Sequence, residues 1–310
     1  MAYSLQNKLV VGVSSRALFD LTMENEIFET QGVEAYSKYQ IDHEGDILKP
    51  GPGFPLIKAL LNLNTIRNHE GRVEVIIMSR NSADTSLRVF NSISHYGLEI
   101  TRAVLASGAP LASYLNAFKT DLFLSAYEDD VQSAIDSNIA AGIICYDGHQ
   151  EYNQQKEIPQ IRIAFDGDAV LFSDESEQIY QKMGLEAFEK NERDQAANIM
   201  KAGPFANFLK TLSDLQKEFP IEKAPIRTAL VTSRSAPAHE RVIRTLRAWD
   251  VRVDEAFFLG GIAKRDILKA FGAHIFFDDQ AVHTSLAAEV VPSARVPYQS
   301  QKEATRDENR

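Results

Sequence analysis

In the second half of the sequence, polar residues stand beside apolar runs in a recognisable order. Asp166-Gly167-Asp168 follows Ile161–Phe165, Thr232-Ser233 follows residues 228–231, Lys264 opens a helical stretch, and Asp278-Asp279 follows residues 274–277. Brought to one place, these residues supply four carboxylates, a hydroxyl and a lysine. Clustered carboxylates raise one another's pKa unless a cation sits among them, and hard oxygen donors of this kind suit Mg²⁺. Cation, lysine and hydroxyl together make a receptacle for a phosphoryl group, whose peripheral oxygens carry the charge during transfer. Taken singly, each element has a plainer reading. Thr232 also fits a helix cap, Asp278-Asp279 a helix N-terminus, and an isolated Asp-x-Asp is common. The four in order point to phosphoryl chemistry.

The elements that must position them form an α/β rhythm. Short, nearly continuous apolar runs alternate with helical stretches, which predicts a parallel sheet covered on both faces. Ligands of such sheets bind beyond the carboxyl ends of the strands, where these residues stand. The rhythm also occurs twice. At an offset of 152, Ser14-Ser15-Arg16-Ala17 meets Asp166-Gly167-Asp168-Ala169 without a gap, Gly32 meets Gly184, and Gly51-Pro52 meets Gly203-Pro204. With one or two residues of slippage, Ser79-Arg80 meets Ser233-Arg234 and Leu122-Phe123-Leu124 meets Ile275-Phe276-Phe277. One register kept over about 110 residues predicts two homologous domains. They cover residues 1–150 and 158–298, joined by a polar linker at 147–159, with a frayed polar tail at 299–310.

The chain carries 33 Lys+Arg against 43 Asp+Glu, a net charge of −10. That excludes a nucleic-acid-coating surface, which needs a basic stripe to displace counterions. With 44% apolar and 25% charged residues the composition is that of a folded globular chain. The single cysteine, Cys145, rules out an intramolecular disulfide and fits a reducing compartment. It lies in the apolar run 139–146, which predicts a buried structural thiol. No apolar run approaches a membrane span and the first residues lack a signal core, so the expectation is a cytoplasmic protein without a membrane partner.

The ordered motifs resemble the haloacid dehalogenase (HAD-like) superfamily. More closely, Phe165-Asp-Gly-Asp-Ala-Val-Leu-Phe-Ser-Asp-Glu-Ser-Glu177 resembles the cytosolic 5′-nucleotidase type I family, as do Val11-Gly-Val-Ser-Ser-Arg-Ala-Leu-Phe19, Gly32-Val-Glu-Ala-Tyr36 and Ile275-Phe-Phe-Asp-Asp-Gln280. The likeness covers about residues 8–298. It implies two tandem HAD-like parallel-sheet domains, the second with a small helical cap inserted at 173–202. It also implies hydrolysis of nucleoside 5′-monophosphates through an aspartyl-phosphate, and a homo-oligomer. Asp166 becomes the nucleophile and Asp168 the proton donor and acceptor. Thr232 bonds a phosphoryl oxygen, and Lys264 offsets its charge. Mg²⁺ is held by Asp166, the Asp168 carbonyl and Asp278, with Asp279 coordinating or supporting.

In the first half, Ser14, Arg16, Met78, Leu111 and Ser125-Ala126 stand at the corresponding places, which predicts a catalytically silent twin. Either it is a scaffold, or Arg16, Ser79, Arg80 and Asn81 face the other domain and bind substrate or an effector. Arg16, Arg80 and Ser233 are the candidate substrate contacts, since a guanidinium grips phosphate bidentately. Trp249 stands where the repeat has Tyr96 and is expected in the core. His283, one turn past the Asp pair, reads as a helix-surface residue. Two other functions fit the same residues: a phosphatase for another small phosphomonoester, and a nucleotide-binding regulator without turnover.

Overall fold

The computed structural model describes residues 3–66, 71–145 and 159–300. Among these residues ten strands make one sheet: β1 (Leu9–Val13), β2 (Val73–Ser79), β3 (Arg102–Leu105), β4 (Leu122–Ser125), β5 (Ala140–Cys145), β6 (Ile161–Phe165), β7 (Ile226–Thr232), β8 (Glu255–Phe258), β9 (Ile275–Asp278) and β10 (Ser293–Arg295). Their spatial order is β3-β2-β1-β4-β5-β10-β9-β6-β7-β8. Every neighbouring pair is parallel except β5 and β10, which meet antiparallel through Ser293 opposite Cys145 and Arg295 opposite Ile143. Read outward from that seam, both halves have the same order, β5-β4-β1-β2-β3 and β10-β9-β6-β7-β8.

The inner strands bury both faces, as their unbroken apolar sequences require. Leu-Val-Val-Gly-Val of β1 and Leu-Phe-Leu-Ser of β4 are buried throughout. One core cluster runs from Leu9 to Val296 and takes residues from both halves. At the seam a Cβ on Gly142 would stand 2.8 Å from the Ala294 Cβ, so only glycine lets these edges close. β5 and β10 are the elements that the expected rhythm lacked; β10 is three residues long, too short to show a period.

The antiparallel seam has a consequence for function. The carboxyl ends of β1–β5 lie along one edge of the sheet and those of β6–β10 along the other. Each half therefore has its own strand-end site, and the two cannot line a single cleft.

Three local features correct the expected correspondence. First, the helix Glu175–Asp194, expected as a cap peculiar to the second half, has a counterpart in Thr22–Asp42. Both break at a glycine that adopts positive φ, Gly32 at φ 84° and Gly184 at φ 80°, each with ψ −178°. Second, the turn after β6 is one residue longer than the turn after β1: Phe172 N bonds Gly167 O, whereas Phe19 N bonds Ser15 O. Gly203 N reaches Leu171 O and Gly51 N reaches Leu18 O, so Ala17 matches Val170 rather than Ala169. The extra residue widens the turn and puts Ala169 at φ 61°; such local widening of a helix turn recurs at functional sites. Third, Val13 pairs with Ile77 and Phe165 with Leu230, which sets Ser79, not Met78, opposite Thr232. Asn81 N donates to Ser79 Oγ as Arg234 N donates to Thr232 Oγ1. The first half has therefore kept a hydroxyl where the second has Thr232.

The aromatic pairing fits the same correspondence: Tyr96 lies 6.0 Å from Phe19, and Trp249 lies 5.5 Å from Phe172, both half-buried and packed against the core. The linker at 147–159 lies outside the described residues except Pro159. Of the tail at 299–310 only Gln299 and Ser300 are described, and they are not frayed. Gln299 donates to Asn138 Oδ1 at 3.1 Å, and Ser300 N donates to Asp136 Oδ1 at 2.7 Å. Cys145 is a free, half-buried thiol on β5. Among the described residues no helix is long and apolar enough to cross a membrane.

Candidate active site

Asp166 is the first residue after β6, and its backbone N bonds Phe277 O on neighbouring β9. That bond brings the end of β6 beside Asp278, the last residue of β9. Lys264 begins the helix Lys264–Phe271 after β8 and reaches back across the strand ends. Its Nζ donates to Asp166 Oδ1 at 2.7 Å and to Asp278 Oδ2 at 2.6 Å. Carboxylate oxygens of Asp166, Asp278 and Asp279 lie within 4.8 Å of one another, and all three residues are buried. Thr232 ends β7 beside this group: a Cβ placed on Gly167 would be 3.3 Å from Thr232 Oγ1.

Three buried carboxylates against one lysine leave an excess of negative charge. Burial pushes Asp166 well above the usual carboxylate range, the nearby Asp278 and Asp279 push the same way, and Lys264 only partly opposes them. Burial and the charge of Asp278 raise Asp279 to about 6. Burial acts on Asp278 too, but the His283 hydrogen bond and the Lys264 charge prevail and hold it below its ordinary value. Lys264 is raised in spite of its burial because Asp166 and Asp278 flank it. A second positive charge would relieve this cluster, and its hard carboxylate donors suit a divalent cation.

A family model described as 5′-nucleotidase matches residues 1–303. The chain belongs to the 5′-nucleotidase family. It is 39% identical over 288 residues to the human protein named cytosolic 5′-nucleotidase 1B, covering 90% of this chain and 47% of that protein. The chain thus spans about half the length of this curated relative. Among solved structures, the "Structure of Pnkp1/Rnl/Hen1 complex" aligns over 94% of this chain and 97% of its own at 12% identity, with a TM-score of 0.31, too low to carry an argument.

The rest of the site in this 5′-nucleotidase-family chain is an ion network. Asp168 is not one of the clustered carboxylates, and both its oxygens accept from Arg234, Oδ2 from Nε at 2.7 Å and Oδ1 from Nη2 at 2.6 Å. Arg234 also donates through Nη1 to Glu192 on the kinked helix, and Glu192 accepts from Ser176 Oγ at 2.8 Å and Arg241 Nη1 at 2.9 Å. Glu192 is fully buried, yet the Arg234 charge outweighs burial and keeps its carboxyl below the ordinary range. This chain of bonds ties the kinked helix to the strand ends.

The structure therefore gathers Asp166, Lys264, Asp278 and Asp279, with Thr232 and Asp168 beside them. Ser233 is exposed next to Thr232. Arg16 and Arg80 are not brought there: they line a separate cavity of the first half, at the opposite sheet edge. Their expected place facing the second half fails because the seam is antiparallel. Sequence reading also undervalued three residues. His283 Nδ1 lies 3.2 Å from Asp278 Oδ2, the Tyr298 hydroxyl bonds Asp279 Oδ2, and Arg234 holds Asp168. The position of His283, five residues after Asp278 and one turn into a helix, was the available signal; Tyr298 had none.

Proposed function

We propose that this chain hydrolyses nucleoside 5′-monophosphates to nucleoside and phosphate at the Asp166–Lys264–Asp278 cluster. The observation that carries the reading is the convergence of Asp166, Asp278 and Asp279 on Lys264 at the carboxyl ends of β6 and β9, in a chain of this family. The two halves are read as homologous HAD-like domains. The second is catalytic and the first silent, with the segment 173–202 as the cap over the catalytic site. The cytosolic relative and the reducing-compartment composition support a cytoplasmic placement.

The donor set fits Mg²⁺ held by Asp166, Asp278, Asp279 and the Asp168 carbonyl; when bound, it offsets the negative charge of the phosphate. An Asp166 carboxylate oxygen attacks phosphorus, the bond to the ribose 5′-oxygen breaks, and that oxygen takes a proton from Asp168. Water then attacks phosphorus, passes a proton to Asp168 and frees phosphate and the Asp166 carboxylate. Lys264 and Thr232 hold the phosphoryl oxygens through this exchange. Asp168 must leave the Arg234 fork to do its part, because both its oxygens are engaged there. The leaving nucleoside is assigned to a cavity of about 500 Å³ lined by Ala169, Asp174, Gln178, Asn207 and Tyr298 together with Asn138 of the first half; Ala169 follows Asp168 in the chain, and the Tyr298 hydroxyl bonds Asp279.

The test is phosphate release from purine and pyrimidine monophosphates, with Mg²⁺ and with chelator. Release that needs Mg²⁺ and falls by roughly four or more orders of magnitude in Asp166→Asn is expected for loss of a nucleophile. Sugar phosphates turned over as fast as nucleotides would make this another phosphomonoesterase. Nucleotide binding without release would make it a regulator.

A further inference from the structure

We propose that the cavity at the carboxyl edge of β1 and β2 binds a small phosphorylated molecule and holds it without hydrolysis. The cavity measures about 450 Å³ and is lined by first-half residues alone. Ser15, Arg16 and Asn81 are among its polar lining, and Phe28, Tyr36 and Tyr127 supply aromatic surface suited to a flat apolar body, Phe28 and Tyr36 edge to face at 5.9 Å.

Charge is what points to an anion. The cavity's other ions are already paired: Arg80 donates to Asp130 through Nε at 2.8 Å and Nη2 at 2.6 Å, and Arg88 bonds Glu24. Arg16 donates to the neutral Asn25 Oδ1 at 2.8 Å and lies 5.0 Å from the Tyr127 ring centre, and among the described residues it pairs with no carboxylate. These five ions leave one positive charge at the cavity in a chain whose net charge is −10.

The counterpart positions explain why. In the second half Asp168 is matched by Arg234, and Arg234 by Glu192. In the first half Arg16 follows the strand in place of Asp168, Asn81 stands in place of Arg234, and Gln40 in place of Glu192. The charged chain has become a cation backed by two neutral amides. Both amides are poorly partnered: buried Asn81 Nδ2 has the Tyr36 hydroxyl near it but no acceptor in full hydrogen-bond geometry, and Gln40, 2% exposed, has its Oε1 without a donor. Buried polar atoms without partners are costly, and Asn81 lines the cavity beside Arg16. An anion set between Arg16, Asn81 and the Ser15 hydroxyl would accept bonds from all three.

Phosphate is the anion chosen because this polar lining occupies the place where the second half is proposed to take its phosphoryl group; that choice rests on the proposed function, while the need for an anion does not. Turnover is absent because Ser14 replaces Asp166 and Ser125 replaces Asp278. Ser14 Oγ is engaged with Ala17 N, and Leu111 stands in place of Lys264.

The experiment is calorimetric titration of the full chain in chelator with a nucleoside monophosphate, inorganic phosphate, the parent nucleoside and a nucleoside carboxylate. The nucleoside monophosphate is expected to bind at least tenfold tighter than the nucleoside or the carboxylate. At least tenfold of that affinity is lost in Arg16→Ala and in Ser37→Phe, which narrows the cavity at a second lining position, and none in Lys223→Met, on the exposed surface of the second half. Ser37→Phe carries the test if Arg16→Ala fails to fold. Unchanged affinity in both cavity variants, or equal binding of nucleoside or carboxylate, overturns the proposal. A failure of the nucleotidase reading shows instead as absent phosphate release, with the Arg16 dependence of binding intact.

Discussion

The two ends of this sheet were built alike and charged oppositely. Beyond β6 and β9, buried carboxylates crowd around one lysine and call for more positive charge. Beyond β1 and β4 the same backbone presents Ser14, Arg16 and Ser125, and the surplus is a guanidinium. The backbones match down to the glycine break in each kinked helix. What separates the site proposed for phosphoryl transfer from the one proposed to be silent is therefore a handful of side chains and one additional residue in the turn after β6.

The largest effect that would test this contrast is at Lys264. Lys264→Met leaves three carboxylates facing one another with no fixed cation. Loss of such a charge from a buried site should lower phosphate release by about 10²- to 10³-fold, while the matching Leu111→Met in the first half leaves it unchanged. Comparable losses in both would mean that the halves are not functionally distinct.

Next is the ion network. Arg234→Gln leaves the fully buried Glu192 with Arg241 as its remaining cation, beside the neutral donors Ser176 and Asn191, and frees Asp168. Breaking a buried pair on one side should cost on the order of 3 kcal/mol, read as a shift of the denaturant midpoint. Asn81→Ala, at the corresponding place, removes an amide whose Nδ2 has no acceptor in full hydrogen-bond geometry and should cost less than about 1 kcal/mol. Equal costs would contradict the claim that the first half replaced a charged network with neutral groups.

The smallest concerns the hydroxyl that both halves kept. Thr232→Val removes one donor to the phosphoryl group and should lower kcat/KM by roughly tenfold, about 1.4 kcal/mol. Ser79→Ala should leave kcat/KM within twofold, because Ser79 faces the other sheet edge.

The grouping of Asp166, Lys264 and Asp278 was readable in the sequence, because residues that follow the strands of a parallel sheet, and those that open the next helices, collect at one edge. The repeat was readable too, but its fine register was not. The additional residue in the turn after β6 and the match of Ser79 to Thr232 appear in the hydrogen-bonding pattern and strand register, since Ser233, beside Thr232, offers the sequence an equally good hydroxyl to align. The seam was the larger omission. Nothing in the short β10 segment announces an antiparallel partner, and with the seam missing a placement of Arg16 and Arg80 facing the second half stood open beside the scaffold reading. Asp168 was readable as a residue and not as a state, because its partner Arg234 lies 66 positions away.

The central claim is that the side chain of Asp166 takes up the phosphoryl group. The most direct measurement is to quench the enzyme in mid-turnover, reduce with borohydride and map the peptides by mass. The account predicts homoserine, the reduction product of an aspartyl-phosphate, at position 166 and at no other aspartate. Sustained turnover with Asp166 unmodified, or the label at Asp278 or in the first half, would contradict it.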